Sequence, residues 1–321
     1  MSYNPACSAT QNWTRTFPDT TISTVVDGRV PVSVTTSTAL GGAIASLTVA
    51  GKQYIASGGH GSALQYDFHA WQGDTASGSE CYNPTQAGAR IDDNGHPAPW
   101  HGPSTSALYQ MSVSGNSIQT QSRPAMFIPL ADPGTGVDPS SPSGTCQANQ
   151  YQPDVSPYSY GLSPYWLTTS VSMNAAGLAN VIGLSATLTS SDSPYAHFDA
   201  VLIAYLQNGF TATYQVNPAT AAVTTLPGSA ASSQPTERCT ADGSYCLGMY
   251  FAPGAMPNGY YYLQTAGPDA ENGGFGQDTT QITVPASNVG SGSVLNYQAY
   301  LIVGNQQRVA DTIQDLYQQT G

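Results

Sequence analysis

Short segments in which apolar and polar residues alternate, each ended by a turn, recur along almost the whole chain. In segments 22–36 and 43–57 the alternation continues on both sides of a short turn, around Gly28 in the first and Gly51 in the second. Successive side chains of a strand point to opposite faces, so this pattern predicts hairpins with one buried face. Because such faces must be covered, we expect a large antiparallel β-sandwich.

The same strand pattern continues to the C-terminal part of the chain, where a single helical segment follows it. Further strand regions are residues 106–123, 165–191, 199–227 and 293–304. The helix is expected to begin near Asn305, and its apolar stripe comprises Val309, Ile313, Leu316 and Tyr317. The sequence therefore predicts an all-β fold with one C-terminal helix, which packs on a sheet.

Two long segments lack the strand pattern. Residues 129–159 are rich in Pro, Ser and Gly, and residues 264–280 are rich in Gly and acidic residues. Irregular segments of this length in compact domains are commonly binding loops or disordered. The first also has the composition of a linker, but similar strand patterns flank it and Cys146 lies within it. We therefore predict one domain over residues 1–321 with two long loops.

The scarcity of charge restricts what the chain can bind. Charged residues make up 8% of the 321 residues, only seven are basic, and the net charge is −12. Binding to nucleic-acid phosphates or to anionic membranes needs clusters of Lys and Arg, and none occurs here. No segment approaches the roughly 20 apolar residues of a membrane helix. We expect neither nucleic acid nor membrane as a partner, and instead a neutral polar ligand.

The five cysteines favour an oxidising compartment. Cys239 and Cys246 bracket a turn-rich loop that a disulfide could close, and Cys81 with Cys146 is a second candidate pair, which leaves Cys7. No CxxC pair occurs, so neither a zinc ribbon nor a thioredoxin motif is expected. We predict a secreted or periplasmic protein. Reduced, buried thiols are the alternative.

Residues 65–104 hold a large share of the chain's rare reactive groups. They include three of the five His, one of the three Glu, two of the four Trp and one of the six Arg. Rings pack on sugar faces, amides and guanidinium groups bind hydroxyls, and His and Glu carry protons. A turn-rich loop whose side chains only fill space is the alternative. The candidates are the proton carriers His69, Glu80 and His101, and the substrate-binding residues Gln65, Trp71, Tyr82, Asn83, Arg90 and Trp100.

Two further pairs of titratable residues lie outside this segment. His197 and Asp199 share one face of a predicted strand, which suits an acid–base His oriented by an Asp, or two metal ligands. Asp269 and Glu271 lie in a Gly-rich loop that fits one carboxylate of a glycosidase pair, or a calcium site. Solvated residues are the alternative for both pairs. We expect no cofactor, with calcium as the one metal left open.

Two stretches resemble galactose-mutarotase-like proteins. TALGGAIASLTVAGKQYIASGGHGSALQYDFH, residues 38–69, is similar to the opening of that family, in which a Gly-Gly strand and a hairpin precede a loop into the sugar site. AGARIDDNGHPAPWHGPS, residues 87–104, is similar to the aldose epimerase pattern, with Arg90 and His101 in the places of its Arg and His. The sequence departs from the pattern at Pro103, where the family has a second Gly, and lacks the Asn before the Arg.

This resemblance implies the galactose-mutarotase-like supersandwich and a sugar site. It places His197 where the family has a second His on a mid-chain strand, and Glu271 in the closing part of the chain that carries the family's catalytic Glu. The context of Glu271 matches no motif. Members of this fold also include domains of polysaccharide lyases and hydrolases, so the fold does not select a reaction.

These observations predict a secreted carbohydrate-active enzyme that cleaves a glycosidic bond in a glycan or oligosaccharide. Its site would lie on the concave face of a sheet, with residues 65–104 on the rim. Hydrolysis and β-elimination both stay open, since Tyr82, Asn83, Arg90 and His101 match the kinds of groups that polysaccharide lyases use. The alternatives are an aldose epimerase-like protein and a non-catalytic carbohydrate-binding module.

Overall fold

The computed structural model of the chain describes residues 19–56, 63–71, 80–82, 90–91, 97–98, 106–124, 165–190, 197–252, 254–255, 258–266, 268–269, 275–276, 278–287 and 292–321. Within these residues the fold is nearly all β, with 23 strands, one short 3-10 turn and one α-helix. The all-β prediction is therefore confirmed.

The strands of the first half of the described chain are mostly paired as hairpins. They are β1 (Thr20–Val26), β2 (Val30–Thr36), β3 (Ile44–Val49), β4 (Lys52–Gln53), β5 (Leu64–Trp71), β6 (Glu80–Tyr82), β7 (Arg90–Ile91), β8 (Pro97–Ala98), β9 (Ala107–Ser114) and β10 (Ser117–Arg123). The hairpin turns have the left-handed backbone that two-residue β-turns need, with φ of 51° at Asp27 and 68° at Gly28.

The second half contains the longer central strands and the helix. Its elements are β11 (Tyr165–Met173), the 3-10 turn Ala175–Gly177, β12 (Val181–Ser190), β13 (His197–Tyr205), β14 (Ala212–Val216), β15 (Val223–Thr225), β16 (Ala230–Ser232), β17 (Thr236–Cys239), β18 (Cys246–Tyr250), β19 (Tyr260–Gln264), β20 (Pro268–Asp269), β21 (Phe275–Gly276), β22 (Thr279–Ser287), β23 (Val294–Gly304) and α1 (Gln306–Thr320).

Two large antiparallel sheets dominate the described residues. Sheet A has ten strands in the order β1-β2-β3-β5-β13-β22-β19-β16, with β4 beside β3 and β6 beside β5. Sheet B has nine strands in the order β15-β14-β17-β18-β23-β12-β11-β10-β9. Two-stranded sheets join β20 to β21 and β7 to β8. The segment 264–280, predicted as a loop, thus includes a short hairpin. Residues 129–159, the other predicted loop, are not among the described residues.

The main hydrophobic core fills the space between the two sheets. Alternate residues of each strand enter it, as the alternating sequence predicts, including Leu47 and Phe68 from sheet A and Leu184 and Leu301 from sheet B, each at most 2% exposed. The remaining face of each sheet then points away from the core. These outward faces are where a large sandwich can carry sites.

The C-terminal helix covers one part of the outward face of sheet B. Asn305 caps it, since its side-chain oxygen accepts a hydrogen bond from the Arg308 N–H at 2.9 Å. The predicted stripe is confirmed, because Val309, Ile313 and Leu316 are fully buried against β17, β18 and β23. The sandwich therefore has a third layer at this end.

Gly248 on β18 lets the helix approach the sheet closely. A Cβ at this position would overlap Cγ1 of Val309. We expect Gly248→Ala to lower the free energy of unfolding by about 1–3 kcal/mol, because the added methyl overpacks the contact. Chemical denaturation measures this, with Ser112→Ala on the exposed face of β9 as the control. Equal stability of the two variants would contradict the close contact.

The structure also bears on the cysteines and on membrane insertion. Cys239 and Cys246 form the predicted disulfide at the end of the β17–β18 hairpin. The candidate pair of Cys81 and Cys146 lies outside the described side chains.

In the described part of the chain, no helix has the length and apolar character that crossing a membrane requires.

Candidate functional site

Strand β5 carries four polar or aromatic residues in strict alternation with core residues. Leu64, Tyr66 and Phe68 enter the core between the sheets. The positions between them and beyond them, which share the opposite face of sheet A, are Gln65, Asp67, His69 and Trp71. Four positions of one strand, occupied by Gln, Asp, His and Trp, are thus on one face of sheet A in the register.

Strand β13 adds two more titratable residues to the same face. In the β5–β13 register Asp199 lies directly opposite His69, and His197 lies directly opposite Trp71. Residues directly opposite each other in an antiparallel pair share a face. The sequence candidates therefore share positions on one face. His69 with Asp199 and Trp71 with His197 are directly opposed, and Gln65 is two outward positions along β5 from His69.

This outward face is shielded from water around Gln65. Gln65 is 2% exposed, and Ile203, directly opposite it on β13, is 7% exposed. On β22, the next strand, Thr283 is 6% exposed, while the Gln281 side chain donates a hydrogen bond to Oγ1 of Thr279 at 2.7 Å. These groups lie along the sheet from the opposed pairs: Thr283, Gln281 and Thr279 are one, two and three outward positions along β22 from the row of His69 and Asp199. A polar group in such a shielded site interacts more strongly with a ligand than it would in water.

Asp67 is the member of this face that the sequence analysis missed. It is half-buried, and its carboxylate accepts a hydrogen bond from the Phe68 N–H at 2.9 Å. Its position two residues before His69 gives it the same face, as the period of two in the sequence QYDFHAW already indicates. With Asp199, it supplies a second carboxylate on adjacent strands.

Several other predicted residues lie elsewhere in the register. On β6 Glu80 is opposite Ala70 and Tyr82 is opposite Phe68, positions that alternate with His69 along β5. Arg90 is opposite Ala98 in the small β7–β8 sheet. The remaining candidates lie outside the described residues, namely Asn83, Trp100, His101 and Glu271.

A second group of reactive side chains lies beneath the C-terminal helix. Glu237 on β17 is fully buried, and neither carboxylate oxygen has a hydrogen-bond partner among the described residues. Burial raises the pKa of this carboxyl from 4.5 to about 8. Ligand atoms of Glu237, Cys239 and Cys246 lie within 4.8 Å of one another, but the two sulfurs are joined in the disulfide. This group lies in the packed interface of sheet and helix.

Arg238, the neighbour of Glu237, points into the core and closes the base of the segment 264–280. Its guanidinium donates to the carbonyls of Gln264 and Thr279 at 2.8 and 3.1 Å, and forms an ion pair with Asp278 at 2.8 Å. Both ends of the segment are thereby fixed to sheet B. Neither buried residue was singled out from the sequence, because a charged residue on a strand is ordinarily assigned to the surface.

Comparison with known proteins gives structural matches only. No protein family model matches the sequence, and no curated protein matches it. Among solved structures, a galactose mutarotase-like protein from Lactobacillus casei ATCC 334 matches with a TM-score of 0.47 and 10% identity, over 89% of this chain and 99% of that chain. The Slr1438 protein from Synechocystis sp. PCC 6803 matches with a TM-score of 0.43 and 10% identity, over 90% and 97%.

A heparan sulfate lyase HepC mutant from Pedobacter heparinus also matches, with a TM-score of 0.44 and 8% identity. The match covers 89% of this chain and 35% of the lyase. The Lactobacillus casei protein carries the name of the family that the sequence resembles. At these identities and TM-scores the likeness carries no argument about chemistry, which must come from the residues themselves.

Proposed function

We propose that the chain is a carbohydrate-active enzyme that cleaves a glycosidic bond on the outward face of sheet A. The observation that supports it is the strand register, which puts His69 opposite Asp199 and Trp71 opposite His197. The four positions come from segments about 130 residues apart in the sequence, and they share one face with Asp67 and Gln65. Proton carriers, an aromatic ring and hydrogen-bonding groups are the components that glycan cleavage needs.

In this proposal Asp199 orients His69. Directly opposed side chains in antiparallel strands have Cβ atoms about 5 Å apart, which is within reach of an Asp–His hydrogen bond. The carboxylate then fixes the tautomer of the imidazole and stabilises its protonated form. The protonated imidazole donates to the glycosidic oxygen as that oxygen leaves the anomeric carbon. Trp71 packs on the sugar ring, and Gln65 binds hydroxyl groups.

Asp67 completes the proposal as the base that activates water. Asp67 and His69, the base and the acid of this proposal, are two residues apart on β5. Their positions are therefore about 7 Å apart along the strand, and inverting glycosidases separate their acid and base by roughly 6.5–9.5 Å, which leaves room for the water. The water loses a proton to Asp67, and its oxygen bonds to the anomeric carbon. Hydrolysis is therefore the favoured reaction over β-elimination.

The products identify the reaction directly. We expect mass spectrometry, after incubation with a panel of neutral and uronate-bearing glycans, to show fragments that carry one added water. Fragments with an unsaturated sugar and no added water would replace hydrolysis by β-elimination. If no glycan of the panel is changed, the enzyme proposal is wrong, and the carbohydrate-binding module is the function that stays.

Substitutions at opposed positions test the site itself. We expect His69→Asn and Asp199→Asn each to lower kcat/KM by about 10²–10⁴-fold, the usual contribution of acid–base catalysis. Glu80→Gln is the control, because the register places Glu80 opposite Ala70 and out of alternation with His69. Loss of turnover in Glu80→Gln with full turnover in His69→Asn would instead place the site on the other face of β6.

We further propose that the protein works outside the cytoplasm and needs no cofactor. The Cys239–Cys246 disulfide supports an oxidising compartment. The mechanism requires only side chains and water. Calcium, which would fit the acidic 264–280 segment, is tested by repeating the assay with a chelator, and unchanged turnover is expected.

A further inference from the structure

A second polar surface lies on the outward face of sheet B, across the sandwich from the proposed site. Five adjacent strands, β9–β12 and β23, align there in rows of five outward positions. The middle row consists of Ser112, Gln119, Ser170, Ser185 and Gln298. The rows on either side contain only Ser, Thr, Gln, Asn, one Gly and one Tyr. We call these three rows the hydroxyl–amide face.

The hydroxyl–amide face has no charged residue among its fifteen positions. Charged residues make up 8% of the whole chain, so about one would be expected among fifteen positions, and the uncharged face continues the low charge of the protein. The face is nevertheless open to solvent, since Ser112, Gln119, Ser185 and Gln298 are all exposed. It therefore offers many hydrogen bonds and no ionic contact.

A groove of about 260 Å³ crosses one end of the hydroxyl–amide face. Its floor is Gly183, where a Cβ would lie 2.9 Å from both Ser172 Oγ and Ala175 Cβ. The 3-10 turn at Ala175–Gly177 forms one side, and Gln298 and Tyr300 form the other. The absence of a side chain at Gly183 thus creates a depression that hydroxyl groups line.

The polar groups on one side of this groove are held in place. The Gln298 amide donates a hydrogen bond to the Tyr300 hydroxyl at 3.1 Å, and the Tyr300 ring stacks on Tyr250 with centroids 6.2 Å apart. Tyr300 is 7% exposed, so its ring is fixed and its hydroxyl lies at the groove. Groups that are already ordered lose less entropy when a ligand binds.

Aromatic rings lie at the opposite end of the same face. Trp166, six residues along β11 from Ser172, packs against Tyr109 with ring centroids 4.8 Å apart. The Arg123 guanidinium lies 5.8 Å from the Trp166 ring centroid and holds the ring further. At about 3.3 Å per residue, the groove and the Trp166 ring are about 20 Å apart along the strand.

We propose that the hydroxyl–amide face binds an extended, neutral polysaccharide. Sugar hydroxyls both donate and accept hydrogen bonds, which matches rows of Ser, Thr, Asn and Gln side chains. The half-exposed Trp166 ring supplies an apolar surface for the face of a sugar ring. The length between groove and ring suits a chain of several sugar units. This inference stands on sheet B alone and does not depend on catalysis at sheet A.

The charge of the protein selects a neutral polymer over an acidic one. The chain has a net charge of −12, and the three rows offer no cation to a carboxylate or sulfate, while the Arg123 guanidinium beyond them lies against the Trp166 ring. An acidic glycan would therefore be repelled by the protein as a whole and unpaired at the face. Binding to the face is expected to depend weakly on salt.

Affinity electrophoresis in gels that contain a soluble polymer tests the proposal. The probes are hydroxyethylcellulose and galactomannan as neutral polymers and polygalacturonate as the acidic one. We expect retardation by at least one neutral polymer and none by polygalacturonate. Ser185→Glu should weaken retardation by about tenfold or more, because it puts an unpaired carboxylate among the hydroxyls.

Ser23→Glu is the matched control, since Ser23 is also an exposed strand serine, on β1 of sheet A. Retardation equal to wild type in Ser23→Glu, with loss in Ser185→Glu, supports the proposal. Equal behaviour of the two variants, retardation by polygalacturonate alone, or no retardation by either neutral polymer would overturn it. Sedimentation that shows a dimer disrupted by Ser185→Glu would also overturn it, because the face would then bind a second copy of the chain.

Discussion

Replacement of Glu237 by Gln is expected to stabilise the protein strongly at alkaline pH and hardly at all at acidic pH. Glu237 is fully buried beneath the C-terminal helix, and in the part of the chain that the structure describes neither of its carboxylate oxygens has a hydrogen-bond partner. Gln has nearly the same shape and stays neutral at every pH. The substitution therefore removes the cost of ionisation and keeps the packing.

The direction of the effect follows from proton binding. The pKa of Glu237 is raised from 4.5 to about 8 in the folded protein. Below pH 4.5 the carboxyl is protonated in both states, and above about pH 8 it is ionised in both. Between these values the folded state retains the proton that the unfolded chain has released. The free energy of unfolding consequently falls as the pH rises, by about 5 kcal/mol in total.

Urea unfolding of wild type and Glu237→Gln at pH 5, 7 and 9 measures this difference. We expect the stability gap to be small at pH 5 and to widen toward pH 9. Asp315→Asn is the control, because it removes one carboxylate from the exposed side of the same helix. A gap that stays constant with pH would show that the Glu237 pKa is not raised in the folded protein.

Removal of the Arg238 guanidinium is expected to lower the free energy of unfolding by about 3–5 kcal/mol, the range for breaking a buried ion pair. Arg238 is 0% exposed. Besides Gln264, Thr279 and Asp278, its guanidinium binds the carbonyl of Phe210 at 2.7 Å and Oγ1 of Thr265 at 2.8 Å. Arg238→Met would leave the buried carbonyls of Phe210 and Thr279 without this donor and Asp278 without its cation.

The exposed ion pair of Arg308 and Asp27 gives a matched control. Its atoms are 3.3 Å apart, and the side chains are 45% and 60% exposed. Exposed pairs contribute about 0–1 kcal/mol, so Arg308→Met should change stability little. Chemical denaturation of both variants separates the two cases. Similar losses for Arg238→Met and Arg308→Met would refute the role of burial.

Arg238→Met also bears on the segment predicted as a binding loop. Asp278, the partner of Arg238, accepts a further hydrogen bond from the Ala266 N–H at 3.0 Å, so the segment is closed at both ends. Proteolysis within residues 264–280 should become faster in Arg238→Met, because the base of the segment opens locally. The segment should resist in Arg308→Met.

The candidate site shows how far local patterns reach. The period of two in QYDFHAW assigns Gln65, Asp67, His69 and Trp71 to one face, and the spacing of His197 and Asp199 assigns these two to one face of another strand. Nothing local in the sequence says that these two strands are neighbours. Their pairing depends on which sheet order buries every apolar face at once.

The buried charges show the same limit. Glu237 and Arg238 stand in a short polar stretch that resembles an exposed strand end, and only the packing of α1 and the second sheet removes them from water. A strand that is buried on both faces is recognised in a sequence by a continuous run of apolar residues. Glu237 and Arg238 interrupt that run on β17, so the sequence does not indicate that both faces of this strand are buried.

By itself the sequence determined the type of most elements, because strand and helix periods and turn residues act within a few residues of one another. It thereby determined the main hairpins and the C-terminal helix, and it identified Cys239 and Cys246 as a candidate pair. The β20–β21 hairpin, in a segment predicted as a loop, was missed. The tertiary structure alone decided that β5 lies beside β13, which brings His69 opposite Asp199. It also decided which strands lie under the helix. The physical reason is that contacts distant in sequence are selected by the burial of the whole core, which no single segment encodes.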